Sequence, residues 1–201
     1  GTTGTLNFIA QIIAREYHFA NDIEIIYPVP AYAGLKKSLT FYGIVPKVMP
    51  MDKANDYKMK LEDVKKAYTE KTVALLITNP ANPACKFIDE DELKKIVEFC
   101  IEKNIYIIYD AIFEEAPMFN NKRVQIFKLA HDYSKLIKIK GFSKDIPQLS
   151  DLRCGWTICK NPKFIEWLLE LGEAVNYSNS TFLEALGIVE MTQRVNVDKG
   201  D

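Results

Sequence analysis

Histidine is scarce in this chain: His18 and His131 are the only two, and they are far apart. The four cysteines, at 85, 100, 154 and 159, form no pair of CxxC clusters. Together these argue against a zinc site and against a dense disulfide framework, and they favour a reducing, cytoplasmic setting. No apolar run reaches the roughly 20 residues of a membrane helix. The longest, such as Ile105–Tyr109, are strand-sized. A net charge of −1 gives no general pull toward nucleic acid or anionic lipid. There is no GxGxxG or GxxxxGK[ST] loop, which disfavours an ordinary nucleotide-binding domain. Internal repeats, low-complexity tracts and a recognisable signal peptide are also missing.

What remains is a chain of 201 residues, 48% hydrophobic and 26% charged, long enough for one sizeable α/β core. Apolar periodicity predicts helices over Leu6–Tyr17, Ala33–Tyr42, Lys60–Tyr68, Glu90–Lys103 and Pro162–Leu171. Asp89 and Glu92 have capping-box spacing at the start of the fourth. Strands are expected at Ile23–Tyr27, Val45–Met49, Val73–Ile77, Ile105–Tyr109, Lys135–Lys140 and Gly155–Cys159. Val73–Ile77 is wholly apolar, as in a parallel strand buried on both faces. Strand–helix alternation predicts a three-layer α/β/α domain with a mostly parallel sheet. In such sheets ligands gather at the carboxyl ends of the strands.

The chemistry-bearing residues follow those ends. Lys144 lies just past an apolar strand, in Gly141-Phe142-Ser143-Lys144, and its amine can form an imine with an aldehyde cofactor. The same amine, once released, can move a proton at a substrate Cα. Arg153, beside Gly155, can clamp a phosphate with forked hydrogen bonds. Gly1-Thr2-Thr3-Gly4, in a turn just before a helix, offers N–H groups and hydroxyls to the same phosphate. Asp110 follows the strand ending at Tyr109 and could hold a pyridine nitrogen protonated. Asn82, in Asn79-Pro80-Ala81-Asn82-Pro83, could hydrogen-bond a phenolic oxygen, and Tyr32 could stack on the ring. Each has an ordinary alternative: a surface lysine, an ion-paired arginine, turn-forming Asp and Asn-Pro, a helix-capping Thr3 and a packing tyrosine. Their joint order along the chain favours a site.

These motifs resemble the class I/II aminotransferases, fold-type I pyridoxal-phosphate enzymes, over nearly the whole chain. The resemblance implies that Thr2, Thr3, Gly4, Tyr32, Asn82, Asp110, Lys144 and Arg153 bind pyridoxal 5′-phosphate, with Lys144 and Asp110 catalytic and no metal. It implies an aminotransferase working through a Lys144 Schiff base on amino-acid and 2-oxo-acid substrates, in a homodimer. Residues 1–201 are then expected to be the cofactor-binding large domain, with the family's N-terminal arm, small domain and substrate-carboxylate arginine absent. Neither nucleic acid nor membrane is expected as a partner. Asn176–Thr181 resembles a family turn before a late helix. Four features depart from the pattern. Ala84-Cys85 replaces Thr-Gly, Phe113 replaces a tyrosine, Gly141 replaces a serine, and the step from Lys144 to Arg153 is one residue longer. They leave open another outcome of the same Cα carbanion (elimination, cyclisation or oxidation) or a truncated, non-catalytic cofactor-binding fragment.

Overall fold

A computed structural model describes residues 1–116, 124–145, 147–176 and positions 185, 188 and 189. Wholly apolar strands flanked by amphipathic helices can bury both sheet faces only in three layers, and the chain does so. The sheet has six strands: β1 (Glu24–Val29), β2 (Val45–Pro50), β3 (Thr72–Thr78), β4 (Tyr106–Asp110), β5 (Leu136–Gly141) and β6 (Gly155–Cys159). Their spatial order is β2-β1-β3-β4-β5-β6. All neighbours pair in parallel except β5 and β6, which are antiparallel.

Helices α1 (Thr2–Glu16), α2 (Ala33–Thr40) and α7 (Pro162–Asn176) pack on one face, where Leu6, Ile9, Ile13, Leu39 and Phe164 meet Ile25, Leu76 and Ile108. On the other face lie α3 (Leu61–Ala67), α4 (Glu90–Glu102) and the single turn α5 (Ile126–Leu129). There Leu93, Ile96, Val97 and Cys100 fill the inner side of α4. The one-turn helix α6 (Phe142–Asp145) and a 3-10 segment (Pro147–Leu152) link β5 to β6.

Two local expectations change. Asp89 stands at the N-cap of α4 without capping it through its side chain. Its carboxylate pairs with Lys58 at 2.9 Å, and Glu92 accepts from Leu61 N at 2.8 Å, so the capping-box pair ties α4 to the α3 segment instead. That backbone hydrogen bond holds the Glu92 carboxyl below its ordinary pKa. Helix α1 begins at Thr2 rather than Leu6, so Thr2–Gly4 are its first turn, not a preceding loop. Lys144, just past β5, lies in the one-turn helix α6. The Asn176–Thr181 run beyond Asn176 lies outside the described residues. Among the described residues, no helix is long and apolar enough to cross a membrane.

Candidate active site

Parallel β1, β3, β4 and β5 direct their carboxyl ends to one edge of the sheet. Antiparallel β6 begins at that same edge, because Gly141 pairs with Gly155. The turns carrying Tyr32, Asn82, Asp110, Lys144 and Arg153 therefore emerge together.

Asp110 ends β4 in register with Thr78 at the end of β3 and is 6% exposed. Its Oδ1 accepts from Ile112 N at 3.1 Å, the one hydrogen bond this carboxylate makes among the described residues. Burial pushes its pKa up from 3.8 to about 6, against the opposing pull of that hydrogen bond and of Lys140. The turn after Asp110 brings round Phe113, and Lys144 Nζ lies 5.8 Å from the Phe113 ring centroid. The amine is thus beside the turn that the aspartate begins, and its residue is exposed.

The far side is built from glycine. A Cβ on Gly141 would lie 2.9 Å from the Cys154 carbonyl oxygen and 3.1 Å from Thr2 Cγ2. One on Gly155 would lie 2.8 Å from Gly1 C and 2.9 Å from Thr2 N. Side chains are excluded at both positions, so β5, β6 and the head of α1 close together. Gly1 N donates to the Arg153 carbonyl. The Arg153 guanidinium lies 3.0 Å from where a Gly1 Cβ would be. A cation thus sits over the first turn of α1, where backbone N–H groups are unpaired by the helix itself. Arg153 adopts a left-handed φ of 52°, a strained conformation for a side-chain-bearing residue. Gly4, in contrast, has open space around its would-be Cβ, so no packing demands a glycine there.

Asn82 is half-buried and lines a cleft with Pro30, Ala31, Met51, Thr78 and Ile88. The Thr78 hydroxyl is buried and has no hydrogen-bond partner among the described residues. Tyr32 neighbours this cleft through Ala31, but its own ring is 54% exposed and folds over Gly34. Among the described residues no hydrogen bond or ring contact joins that ring to Asn82 or Asp110, so the geometry groups it less tightly than the others.

Cys85 stands where the resemblance expects glycine, and its φ is 54°. A left-handed conformation costs an L-residue roughly 1–2 kcal/mol. Cys85→Gly is therefore expected to raise stability by about 1 kcal/mol, read as a higher denaturation midpoint. An unchanged or lower midpoint would remove the strain argument.

Sequence reading missed the charged layer behind Asp110. Lys138 and Lys140 look like the solvent side of an alternating strand. Instead Lys138 pairs with Glu114 at 2.6 Å and Lys140 with Glu115 at 3.2 Å, with Lys140 and Glu114 buried. The adjacent acids Glu114-Glu115 after Asp110 were the available signal. Among the described residues no cluster of His, Cys, Asp and Glu could hold a metal.

The chain matches the family described as aminotransferase class I and II over residues 2–198. It belongs to that family. A probable aspartate/prephenate aminotransferase of Aquifex aeolicus is 30% identical over 168 residues, covering 83% of this chain and 42% of the relative. An aspartate aminotransferase of Bacillus subtilis is 32% identical over 159 residues, 79% of this chain and 38% of the relative. The chain thus spans less than half the length of these curated relatives. The structure of Thermus thermophilus aspartate aminotransferase with maleate superposes with a TM-score of 0.81 at 19% identity, covering 97% of this chain and 50% of that one. At that identity the likeness speaks for the fold: the large domain of class I/II aminotransferases.

The donor set fits the family's cofactor. The Arg153 guanidinium beside the first turn of α1, with its free N–H groups, suits a phosphate. A buried carboxylate at a strand end suits a ring cation, and the unpartnered Thr78 hydroxyl shares its cleft with Asn82.

Proposed function

We propose that residues 1–201 form the pyridoxal-phosphate-binding domain of an aminotransferase that acts on an amino acid and a 2-oxo acid. The observation that carries this is the placement of Lys144 Nζ 5.8 Å from Phe113, in the turn opened by the buried Asp110. It supports an amine and a ring acid working at one sheet edge.

When bound, pyridoxal phosphate supplies an electron sink for negative charge at the substrate Cα. Lys144 would supply the amine that holds it, and the same amine, when free, would take the proton from the substrate Cα. Asp110 would partner the ring nitrogen and favour its cationic form. Asn82 would donate to the phenolic oxygen, and Tyr32 would cover one ring face. Thr2, Thr3, Gly4 and Arg153 would hold the phosphate. A homodimer in the whole protein belongs to the proposal, supported by the resemblance. So does a cytoplasmic setting, supported by four free cysteines.

Arg153 tests the phosphate end. Hydrogen bonds to charged groups contribute about 1.5–3 kcal/mol, so Arg153→Gln should weaken pyridoxal phosphate binding about 10- to 100-fold. Affinity for pyridoxal, which lacks the phosphate, should stay at the parent value. Equal losses for both ligands would dissociate Arg153 from the phosphate.

The reaction itself is tested by an amino-donor screen on the cofactor-loaded protein. Aspartate is the first donor to try, because the Aquifex and Bacillus relatives carry that name. Amino transfer to a 2-oxo acid is expected; its absence with every donor ends the transaminase reading. Phe113 favours keeping one second reading in view. It cannot give the phenolic oxygen a hydroxyl contact, and that altered ring environment suits elimination, cyclisation or oxidation from the same carbanion. Release of a non-transamination product in the screen would select it.

A further inference from the structure

Three buried hydrogen bonds converge on Asn79, a residue that touches none of the proposed cofactor groups directly. Its side-chain Nδ2 donates to the Tyr109 hydroxyl at 2.9 Å. Its Oδ1 accepts from Ile88 N at 3.0 Å. Its backbone N donates to the Asp110 carbonyl at 3.1 Å. Asn79 and Tyr109 are both 0% exposed.

The chain positions make this arrangement consequential. Tyr109 immediately precedes Asp110. Asn79 opens the loop that carries Asn82, and Ile88 closes it. One amide therefore ties both ends of the Asn82 loop to the strand that ends in Asp110. A phenylalanine at 109 would fill the same core volume with no polar atom to satisfy. The hydroxyl is justified energetically by its bond to Asn79, since an unpaired buried polar group is costly. Burial also pushes the Tyr109 phenol pKa upward, so the group stays neutral throughout the working pH range.

We propose that the Asn79–Tyr109 pair is a positioning device that fixes the separation of Asn82 and Asp110, and so sets the cofactor ring between its two polar contacts. This rests on the functional reading above, which assigns the ring to those two residues. Neither Asn79 nor Tyr109 is among the residues proposed to contact cofactor or substrate. Both act through the residues that do. A pair locked by packing and hydrogen bonds is what holds contacting groups in productive geometry.

Tyr109→Phe is the direct test, because it removes one oxygen and keeps the ring. Three quantities are measured on parent and variant, well below either melting temperature: affinity for pyridoxal phosphate, affinity for inorganic phosphate, and the pH midpoint of the bound cofactor's visible absorption. Inorganic phosphate senses only the Gly1–Thr3 and Arg153 end. The expected result is about a tenfold weaker hold on pyridoxal phosphate, a shifted absorption midpoint and an unchanged phosphate affinity. Asn79→Ala should act similarly, and its effect should shrink in the Tyr109→Phe background, because the two residues work as a unit.

A lower melting temperature with parent-like cofactor affinity and absorption midpoint would make the pair purely structural and overturn the proposal. So would a matching loss of inorganic phosphate affinity, which means general loosening, or fully additive effects of the two substitutions. A parent protein that captures no pyridoxal phosphate would overturn the functional reading as well, and that outcome is seen before any variant is made.

Discussion

Borohydride reduction of the Lys144→Ala protein in the presence of pyridoxal phosphate should leave no site-specific covalent label, where the parent carries one on the Lys144 peptide. An imine needs a neutral, reachable amine, and Lys144 is exposed beside the turn that begins at Asp110. Cofactor turnover should fall about 10²- to 10⁴-fold from the loss of proton transfer alone. The fold should barely register the change. An exposed cation near an aromatic ring contributes about 0.5–1 kcal/mol, so the melting curve moves little. Non-covalent cofactor affinity should persist in part, because Arg153, Asn82 and Asp110 are untouched. That combination separates a chemical role from a structural one. If Lys144→Ala is labelled as fully as the parent, another lysine is the attachment point, and the assignment at this sheet edge fails.

The parallel core was readable because its central strands β3 and β4 are apolar along their middles. Val73–Ile77 and Ile105–Tyr109 can satisfy their side chains only between two helical layers, and both do. The site edge was readable for a related reason: a parallel sheet sends the loops that follow its strands to one end, so Asn82, Asp110 and Lys144 had to emerge together. What stayed hidden depends on partners distant in sequence. Asp89 and Glu92 have capping spacing, but the approach of Lys58 and Leu61 redirects both carboxylates. Lys138 and Lys140 alternate like solvent-facing residues until the turn after β4 lays Glu114 and Glu115 against them. Asn79 reads as a turn-forming Asn-Pro, and nothing local to it announces the Tyr109 hydroxyl 30 residues away. Gly141 stood out in sequence only as a departure from the resemblance, and Gly155 only as a neighbour of Arg153. Their meaning comes from the head of α1, which closes on both.

Asp110→Asn should stabilise the cofactor-free protein at neutral pH while removing its function. The buried Asp110 carboxyl has its pKa raised from 3.8 to about 6, with desolvation the largest cause. Between those two values the folded protein binds the proton that the unfolded chain has already released. Folding stability therefore falls as pH rises through that window, and above it the native state carries the whole cost of a buried charge. A displacement from 3.8 to about 6 corresponds to about 3 kcal/mol. Asparagine keeps an oxygen for Ile112 N and has no charge to desolvate. Urea melts should then show the variant more stable than the parent by up to about 3 kcal/mol at pH 7, with the difference vanishing near pH 4. Loaded with pyridoxal phosphate, the order should reverse in function. The parent's carboxylate gains a ring cation as its partner, and the amide cannot replace that charge, so turnover should fall about 10²-fold or more. A variant less stable than the parent at pH 7 would mean that the Lys140 side of the site already compensates the charge. Asp110 would then belong to a structural ion network, not to a site waiting for a cation.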